Sequence, residues 1–285
     1  MFGATASGKS AVAEALADQL RTEVVSADAM QAYRGLPILT NQPERATRLV
    51  AVWPLSHEGS VGEYQRLAHE AIDELVARHG RVVVAGGTGL YLRAALAQLD
   101  LPPAPGAGER DRVEREYDAD PQLAYERLAR LDPDAAVRLH PNDRRRVVRA
   151  LELMDAGGSL APGEDQLWSA KTRRPSRIVG LEVPPDELER RIAARTDAMF
   201  ERGVVDEVRA ALAGTVSRTA EKALGLREIA LLSPADARDR IVERTRQYAA
   251  YQRKWMRRIP GLVTIDGTKP VAEVVDAILE VARAR

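Results

Sequence analysis

Near the start of the chain, Gly3, Ala4, Thr5, Ala6, Ser7, Gly8, Lys9 and Ser10 match the spacing GxxxxGK[ST] at every fixed position. Glycines there let successive backbone N–H groups curl round an oxyanion. A helix that follows adds the positive end of its dipole, Lys9 adds a point charge, and the Ser10 hydroxyl can ligate Mg²⁺. Val12, Ala15, Leu16 and Leu20 fall at helical spacing and predict that helix over residues 10–20. The chemistry is phosphate or pyrophosphate binding, and the loop alone leaves open whether the ligand is a nucleotide. Asp28 follows a strand expected over 23–26. The carboxyl ends of parallel strands are where α/β proteins hold ligands, so Asp28 is a candidate Mg²⁺ ligand or general base. The plainer alternative is a turn or cap carboxylate. Gly86, Gly87, Thr88 and Gly89 follow a second expected strand over 81–85. They suit close approach of a ligand, with Thr88 offering a hydroxyl, or a tight strand-to-helix turn.

Two further clusters carry charge or aromatic rings. Arg144, Arg145, Arg146 and Arg149 crowd one helix. Arg149 shares a face with both Arg145 and Arg146, so the group can hold an RNA backbone or can be a solvated face paired to nearby acids. Tyr248, Tyr251 and Trp255 interleave with Arg253, Arg257 and Arg258 on a late helix. Such a stripe stacks bases or, more commonly, packs a helix whose arginines snorkel.

Composition removes several classes. There is no cysteine, so thiolate metal sites, disulfides and cysteine nucleophiles are out. His57, His69, His79 and His140 lack any zinc-ligand spacing. No apolar run is long enough to span a bilayer and no leader pattern opens the chain, so the expectation is a cytoplasmic, monomeric protein without membrane contact. Lys+Arg and Asp+Glu both number 42, so any nucleic-acid contact must be a local patch.

These residues need a scaffold. Strands expected over 23–26, 81–85, 178–183 and 262–265 alternate with helices over 61–79, 90–98, 185–212, 220–232, 234–258 and 271–284. Alternation implies an α/β fold, a P-loop NTPase-like parallel sheet flanked by helices. Residues 109–156 are purely helical, with helix starts at Asp120-Pro121, Asp132-Pro133 and Pro141-Asn142-Asp143. A Pro/Gly-rich boundary at 100–108 and a polar loop at 157–175 set this all-helical insertion domain off at 109–158, between core segments 1–108 and 159–285. A P-loop ordinarily follows a buried strand; with only Met1 and Phe2 ahead of Gly3, that first strand is expected to be missing.

Taken together, the motifs resemble the tRNA dimethylallyltransferase family, bacterial enzymes also called tRNA isopentenyltransferases. The family's GPTASGK[ST] stands here as Gly3 to Ser10, and its S-x-D-S-x-Q-x-Y-[KR]-G as Ser26 to Gly35. GGTGLY is unchanged from Gly86 to Tyr91. HPND-x-x-R-x-x-RALE appears as His140, Pro141, Asn142 and Asp143, then Arg146 and Arg149 to Glu152. M-x-x-x-G-x-x-x-EV appears as Met199, Gly203, Glu207 and Val208, and Y-A-x-x-Q-x-x-W-x-R as Tyr248, Ala249, Gln252, Trp255 and Arg257. The set spans nearly the whole chain. Departures are Ala4 for Pro, Ala29 for Ser, Leu226 for Tyr, and Leu39-Thr40-Asn41-Gln42-Pro43 where the family has GTAKP.

The resemblance implies transfer of a dimethylallyl group from dimethylallyl diphosphate to N6 of adenosine 37, in tRNAs reading codons that begin with U. Gly3 to Ser10 would hold the donor's diphosphate, with Mg²⁺ on Ser10. Lys9 and Arg209 would neutralise the leaving group, Asp28 would be the general base, and Thr88 would position the reacting groups. Asp28, Ala29, Met30, Gln31, Thr88, Arg110, Arg145, Arg146, Val147, Val148 and Arg149 match family positions that touch the tRNA, and the helical insertion would grip the anticodon stem-loop. Three rivals remain at this stage: a small-molecule P-loop kinase, an adenylate isopentenyltransferase acting on free nucleotide, and a non-catalytic RNA-binding module.

Overall fold

The computed structural model describes residues 1–101, 108–160 and 166–283. Most of the Pro/Gly-rich boundary at 100–108, and part of the loop at 157–175, lie outside the described residues. The chain divides into two compact units, residues 1–99 with 167–285, and residues 100–166. The helical unit therefore runs wider than the 109–158 span read from composition.

Elements follow one another as β1 (Phe2–Gly3), α1 (Lys9–Leu20), β2 (Val24–Ser26), α2 (Val61–His79), β3 (Val83–Ala85) and α3 (Gly89–Leu96). Then come α4 (Glu109–Ala119), α5 (Pro121–Leu131), α6 (Pro133–Ala136) and α7 (Arg144–Asp155). The chain closes with β4 (Ile178–Glu182), α8 (Pro185–Glu201), α9 (Val204–Leu212), α10 (Leu226–Leu231), α11 (Pro234–Met256), β5 (Leu262–Asp266) and α12 (Val271–Arg283). Among the described residues no helix is long and apolar enough to cross a membrane.

In the first unit every strand pairing is parallel. β1 pairs with β4 and β4 with β5, while β2 pairs with β3. A single parallel bridge between Phe2 and Gly86 joins the two sheets, giving the order β2-β3-β1-β4-β5. The expected loss of the first strand is therefore wrong. Phe2 and Gly3 pair with Gly180 and Leu181, and Phe2 is fully buried. Two residues suffice because the neighbouring strand supplies the ladder, and two residues are too few to show an apolar alternation.

Both faces of this sheet are covered, as parallel sheets require. Val24, Val83, Val179, Leu181 and Ile265 pack against Val12 and Leu16 of α1 and against Val274, Val275 and Ile278 of α12. A second cluster joins Ala4 and Val183 to Leu188 and Ile192 of α8 and to Val242 and Ala249 of α11. Gly180 of β4 has no side chain because α11 comes close: a Cβ there would lie 2.8 Å from the Met256 sulfur.

Two expected helices are broken. Residues 185–212 form α8 and α9, split at Gly203, whose φ of 87° is left-handed and cannot continue a helix. In 220–232 only a 3₁₀ turn and α10 form, separated by Gly225 at φ 102°. Gly225 also lies where a Cβ would meet Leu39 at 2.8 Å.

The second unit is built by capping. Asp120 accepts hydrogen bonds from the N–H of Gln122 and Leu123, Asp132 from Ala135, and Asp143 from Arg146. Asp120 and Asp132 each stop one helix and start the next, and Asp143 starts α7. Val113 and Tyr117 of α4, Ala124 and Leu128 of α5, and Val147, Val148 and Leu151 of α7 form its own core.

Candidate active site

The loop from Gly3 to Ser10 joins β1 to α1. Ala6 and Gly8 have φ of 63° and 85°, and these left-handed residues curl the backbone back on itself. Gly8 caps α1 without a side chain, so the first N–H groups of that helix remain available to an anion. The Ser7 N–H bonds to the Ala4 carbonyl at 3.2 Å. Its hydroxyl oxygen is buried without a hydrogen-bond partner among the described residues. Gly3 is required by this turn, since a Cβ there would lie 2.6 Å from the Ser7 hydroxyl.

Lys9 sits partly buried at the head of α1, its ammonium 3.4 Å from the Ala4 carbonyl. Burial pulls its pKa from 10.5 down to about 8, Asp28 opposing that shift and Arg195 adding to it. Arg195 lies on α8, where burial likewise lowers its pKa against the attraction of Asp28. Its Nε is buried with no hydrogen-bond partner among the described residues. Lys9 and Arg195 thus both stand within electrostatic reach of Asp28, an arrangement suited to an anion bearing several charges. Lys9, Ser10, Ser26, Asp28, Gln31 and Gly86 line one open pocket at the strand ends.

Asp28 follows β2 through the buried Ala27. Its Oδ1 accepts from the Met30 N–H at 3.0 Å, which fixes the turn and leaves the carboxylate partly open. Aromatic rings stand nearby. Tyr64 donates to the Ser26 carbonyl at 2.9 Å and lies 4.4 Å from the Tyr91 ring. Burial, with Asp28 adding, pushes the phenols of Tyr64 and Tyr91 up and that of Tyr248 up to about 12. All three stay protonated at neutral pH. The Thr88 hydroxyl accepts from the Ala29 N–H at 3.4 Å, so it is tied to the turn that carries Asp28. The Gln31 side chain is used internally: it accepts from Ser26 at 2.9 Å and donates to the Asn41 carbonyl at 2.8 Å.

The glycines of Gly86-Gly87-Thr88-Gly89 answer to protein neighbours rather than to a ligand. A Cβ on Gly86 would meet the Ala27 carbonyl oxygen at 2.1 Å, on Gly87 the Gln252 amide nitrogen at 2.3 Å, and on Gly89 the Trp255 ring at 2.1 Å. The two strand ends and α11 meet here.

Several expected residues stand elsewhere. Arg209 projects from α9 with its side chain 75% exposed, paired to Asp206 at 3.2 Å. The guanidinium that feels Asp28 is that of the half-buried Arg195, which the motifs did not single out. A sequence signal existed, because Arg195 lies within the buried stripe of α8 formed by Ile192, Thr196 and Met199. In the helical unit Val147 and Val148 are core residues, 0% and 4% exposed, so their side chains do not reach an RNA surface. Arg110 and Arg149 both bind the buried Glu152, at 2.7 and 3.0 Å. Arg144 pairs with Asp118 and Arg146 with Asp143. Arg145 is exposed.

A parallel sheet with a phosphate loop at its head, and a strand-end carboxylate set against two cations, defines an α/β enzyme of the P-loop type. A family model described as IPP transferase matches residues 31–259, and the chain belongs to that family. A tRNA dimethylallyltransferase of Acidothermus cellulolyticus is 40% identical over 100% of this chain and 91% of its own length. One from Salinispora tropica is also 40% identical, over 99% and 93%. Among solved structures, the full-length tRNA isopentenylpyrophosphate transferase of Bacillus halodurans superposes with a TM-score of 0.69 at 29% identity, covering 98% of this chain and 94% of the other.

Proposed function

We propose that the protein transfers a dimethylallyl group from dimethylallyl diphosphate to N6 of adenosine 37 in the tRNA anticodon loop. The observation that carries this is the pocket at the strand ends, where Lys9 and Ser10 of the glycine loop and Asp28 line one opening. The loop from Gly3 to Ser10 binds the donor's diphosphate through its N–H groups. The C–O bond to the donor carbon breaks and the diphosphate leaves with the electron pair. Lys9 and Arg195, already desolvated, hold the charge that develops there. The N6 lone pair forms the new C–N bond, and Asp28 takes the N6 proton. Thr88, bonded to the Asp28 turn, keeps that carboxylate facing the acceptor.

Ser10 shares the pocket with Asp28. One hydroxyl and a nearby carboxylate fit Mg²⁺, which takes few protein ligands and completes its shell with phosphate and water. When bound, the ion supplies further charge neutralisation on the diphosphate. On the RNA side, Arg145 and the Glu152-held pair Arg110 and Arg149 are suited to phosphates of the anticodon stem-loop.

The test is transfer of radiolabelled dimethylallyl diphosphate to an unmodified anticodon stem-loop with Mg²⁺. Label is expected in the RNA for the wild type, and not for Asp28→Ala or for a stem-loop lacking the target adenosine. Folded wild-type protein that instead phosphorylates a small acceptor from ATP would overturn the proposal.

A further inference from the structure

Gln252 touches neither Lys9 nor Asp28, yet it is 2% exposed and its amide is committed at both ends. Its Oε1 accepts from the Thr5 N–H of the phosphate loop at 2.7 Å. Its Nε2 donates to the Gly87 carbonyl at 2.8 Å. The approach is so close that Gly87 has no room for a side chain, since a Cβ would stand 2.3 Å from that nitrogen. One helical turn earlier on α11 stands the partly buried Tyr248. Thr88 accepts from Ala29, next to Asp28. Gln252 therefore ties the loop proposed to hold the diphosphate to Gly87, whose next residue, Thr88, is bonded to the turn that carries Asp28.

We propose that Gln252 is a positioning residue that sets the register between the phosphate loop and the acceptor side of the site, so that departure of the diphosphate and attack by N6 occur in line. Only an amide fits. It accepts and donates at once, whereas glutamate can only accept and methionine does neither strongly. The inference rests on the transfer reaction proposed above.

Loss of register has a chemical signature distinct from loss of fold. If the donor ionises while N6 is out of place, water takes the carbon instead. The C–O bond to diphosphate breaks, the water oxygen bonds to the carbon, and its proton goes to solvent, giving dimethylallyl alcohol. Displacement of reacting groups by about 1 Å costs on the order of 100-fold in rate, so this partition is sensitive to small shifts.

The experiment follows both products from radiolabelled dimethylallyl diphosphate and anticodon stem-loop, for wild type, Gln252→Met, Gln252→Glu and Tyr248→Phe. Inorganic diphosphate is the binding probe. The ratio of alcohol to prenylated RNA is expected to rise at least about tenfold in Gln252→Met. Gln252→Glu, which sets a carboxylate against the Gly87 carbonyl, should raise it further, and Tyr248→Phe should raise it less. Diphosphate affinity of Gln252→Met should stay within about twofold of wild type. The ratio is set within each active molecule, so a partly unfolded sample does not alter it. An unchanged ratio in all three variants, with turnover and thermal stability falling together, would reduce Gln252 to a packing residue. Wild type giving neither product would instead refute the transfer reaction itself.

Discussion

Lys9 is held in the ligand-free protein at a cost. Its pKa falls from 10.5 to about 8 because burial outweighs the attraction of Asp28. At about 1.4 kcal/mol per unit, the charged form is disfavoured in the fold by about 3 kcal/mol. The sign follows from proton counting: between pH 8 and 10.5 the unfolded chain binds the proton and the folded chain has lost it. Stability of the free protein therefore rises with pH across that window, and below it the full cost persists. Lys9→Met removes the buried charge while keeping the length of the stem. It should raise the melting temperature of the ligand-free protein at pH 7, by about 2 °C or more per kcal/mol recovered, and should abolish diphosphate binding. In the wild type, affinity for a non-reactive thio-analogue of dimethylallyl diphosphate should fall about tenfold from pH 7 to pH 9. Over that range the charged share of Lys9 drops from about nine-tenths to about one-tenth. Lys9→Arg, whose guanidinium stays charged, should bind with little pH dependence. Calorimetric titration at several pH values, with thermal melts alongside, checks each point. Wild-type affinity equal at pH 7 and 9, or a lower melting temperature for Lys9→Met, would refute the reasoning.

The other sites call for simpler tests. Arg195→Gln should cut single-turnover transfer by about 100-fold or more, whereas Arg209→Gln should stay within about twofold; the reverse order would return the leaving-group role to α9. Asp28→Asn keeps the turn's acceptor oxygen but removes the base, so transfer should fall by about 100-fold or more while affinity for the donor analogue holds. Arg145→Ala should lower the slope of log affinity for the stem-loop against log salt by about one unit, without changing which bases are required. Val148→Asp should unfold the helical unit, seen as lost protection from hydrogen exchange over α4 to α7, because it places a charge in the core shared with Val113 and Leu151.

What sequence alone made legible was the order of chemistry-bearing turns. The phosphate loop, the strand-end Asp28 and the turn of Thr88 stand at the ends of parallel strands as the α/β alternation implied. Less visible were features that depend on neighbours distant in sequence. The two-residue β1 exists because β4 lies alongside it. Gly86, Gly87 and Gly89 read as room for a ligand, but the space is taken by Ala27, Gln252 and Trp255. The aromatic stripe of α11 divides: Gln252 beside it reaches Thr5 and Gly87, while Trp255 packs against Trp168 with centroids 4.8 Å apart at a 42° tilt and Tyr251 remains 54% exposed. Arg209 drew attention because it follows the Glu207-Val208 motif, yet Glu207 is what that motif places, its carboxylate accepting from Ile38 and Leu39 at 2.8 Å each. A half-buried arginine on an apolar helix face breaks the helical pattern, and that mismatch was the sequence-level mark of Arg195.

The zero net charge of the chain follows from how its arginines are used. Most described ones are paired on the surface to neighbouring acids, as Arg48 is to Glu23 and Glu74. Cations that do chemistry must be kept from such pairing. In the first unit this is done by burial, which lowers the pKa of both Lys9 and Arg195 against the attraction of Asp28. In the helical unit the buried Glu152 holds both Arg110 and Arg149. A balanced surface adds no long-range pull on polyanions.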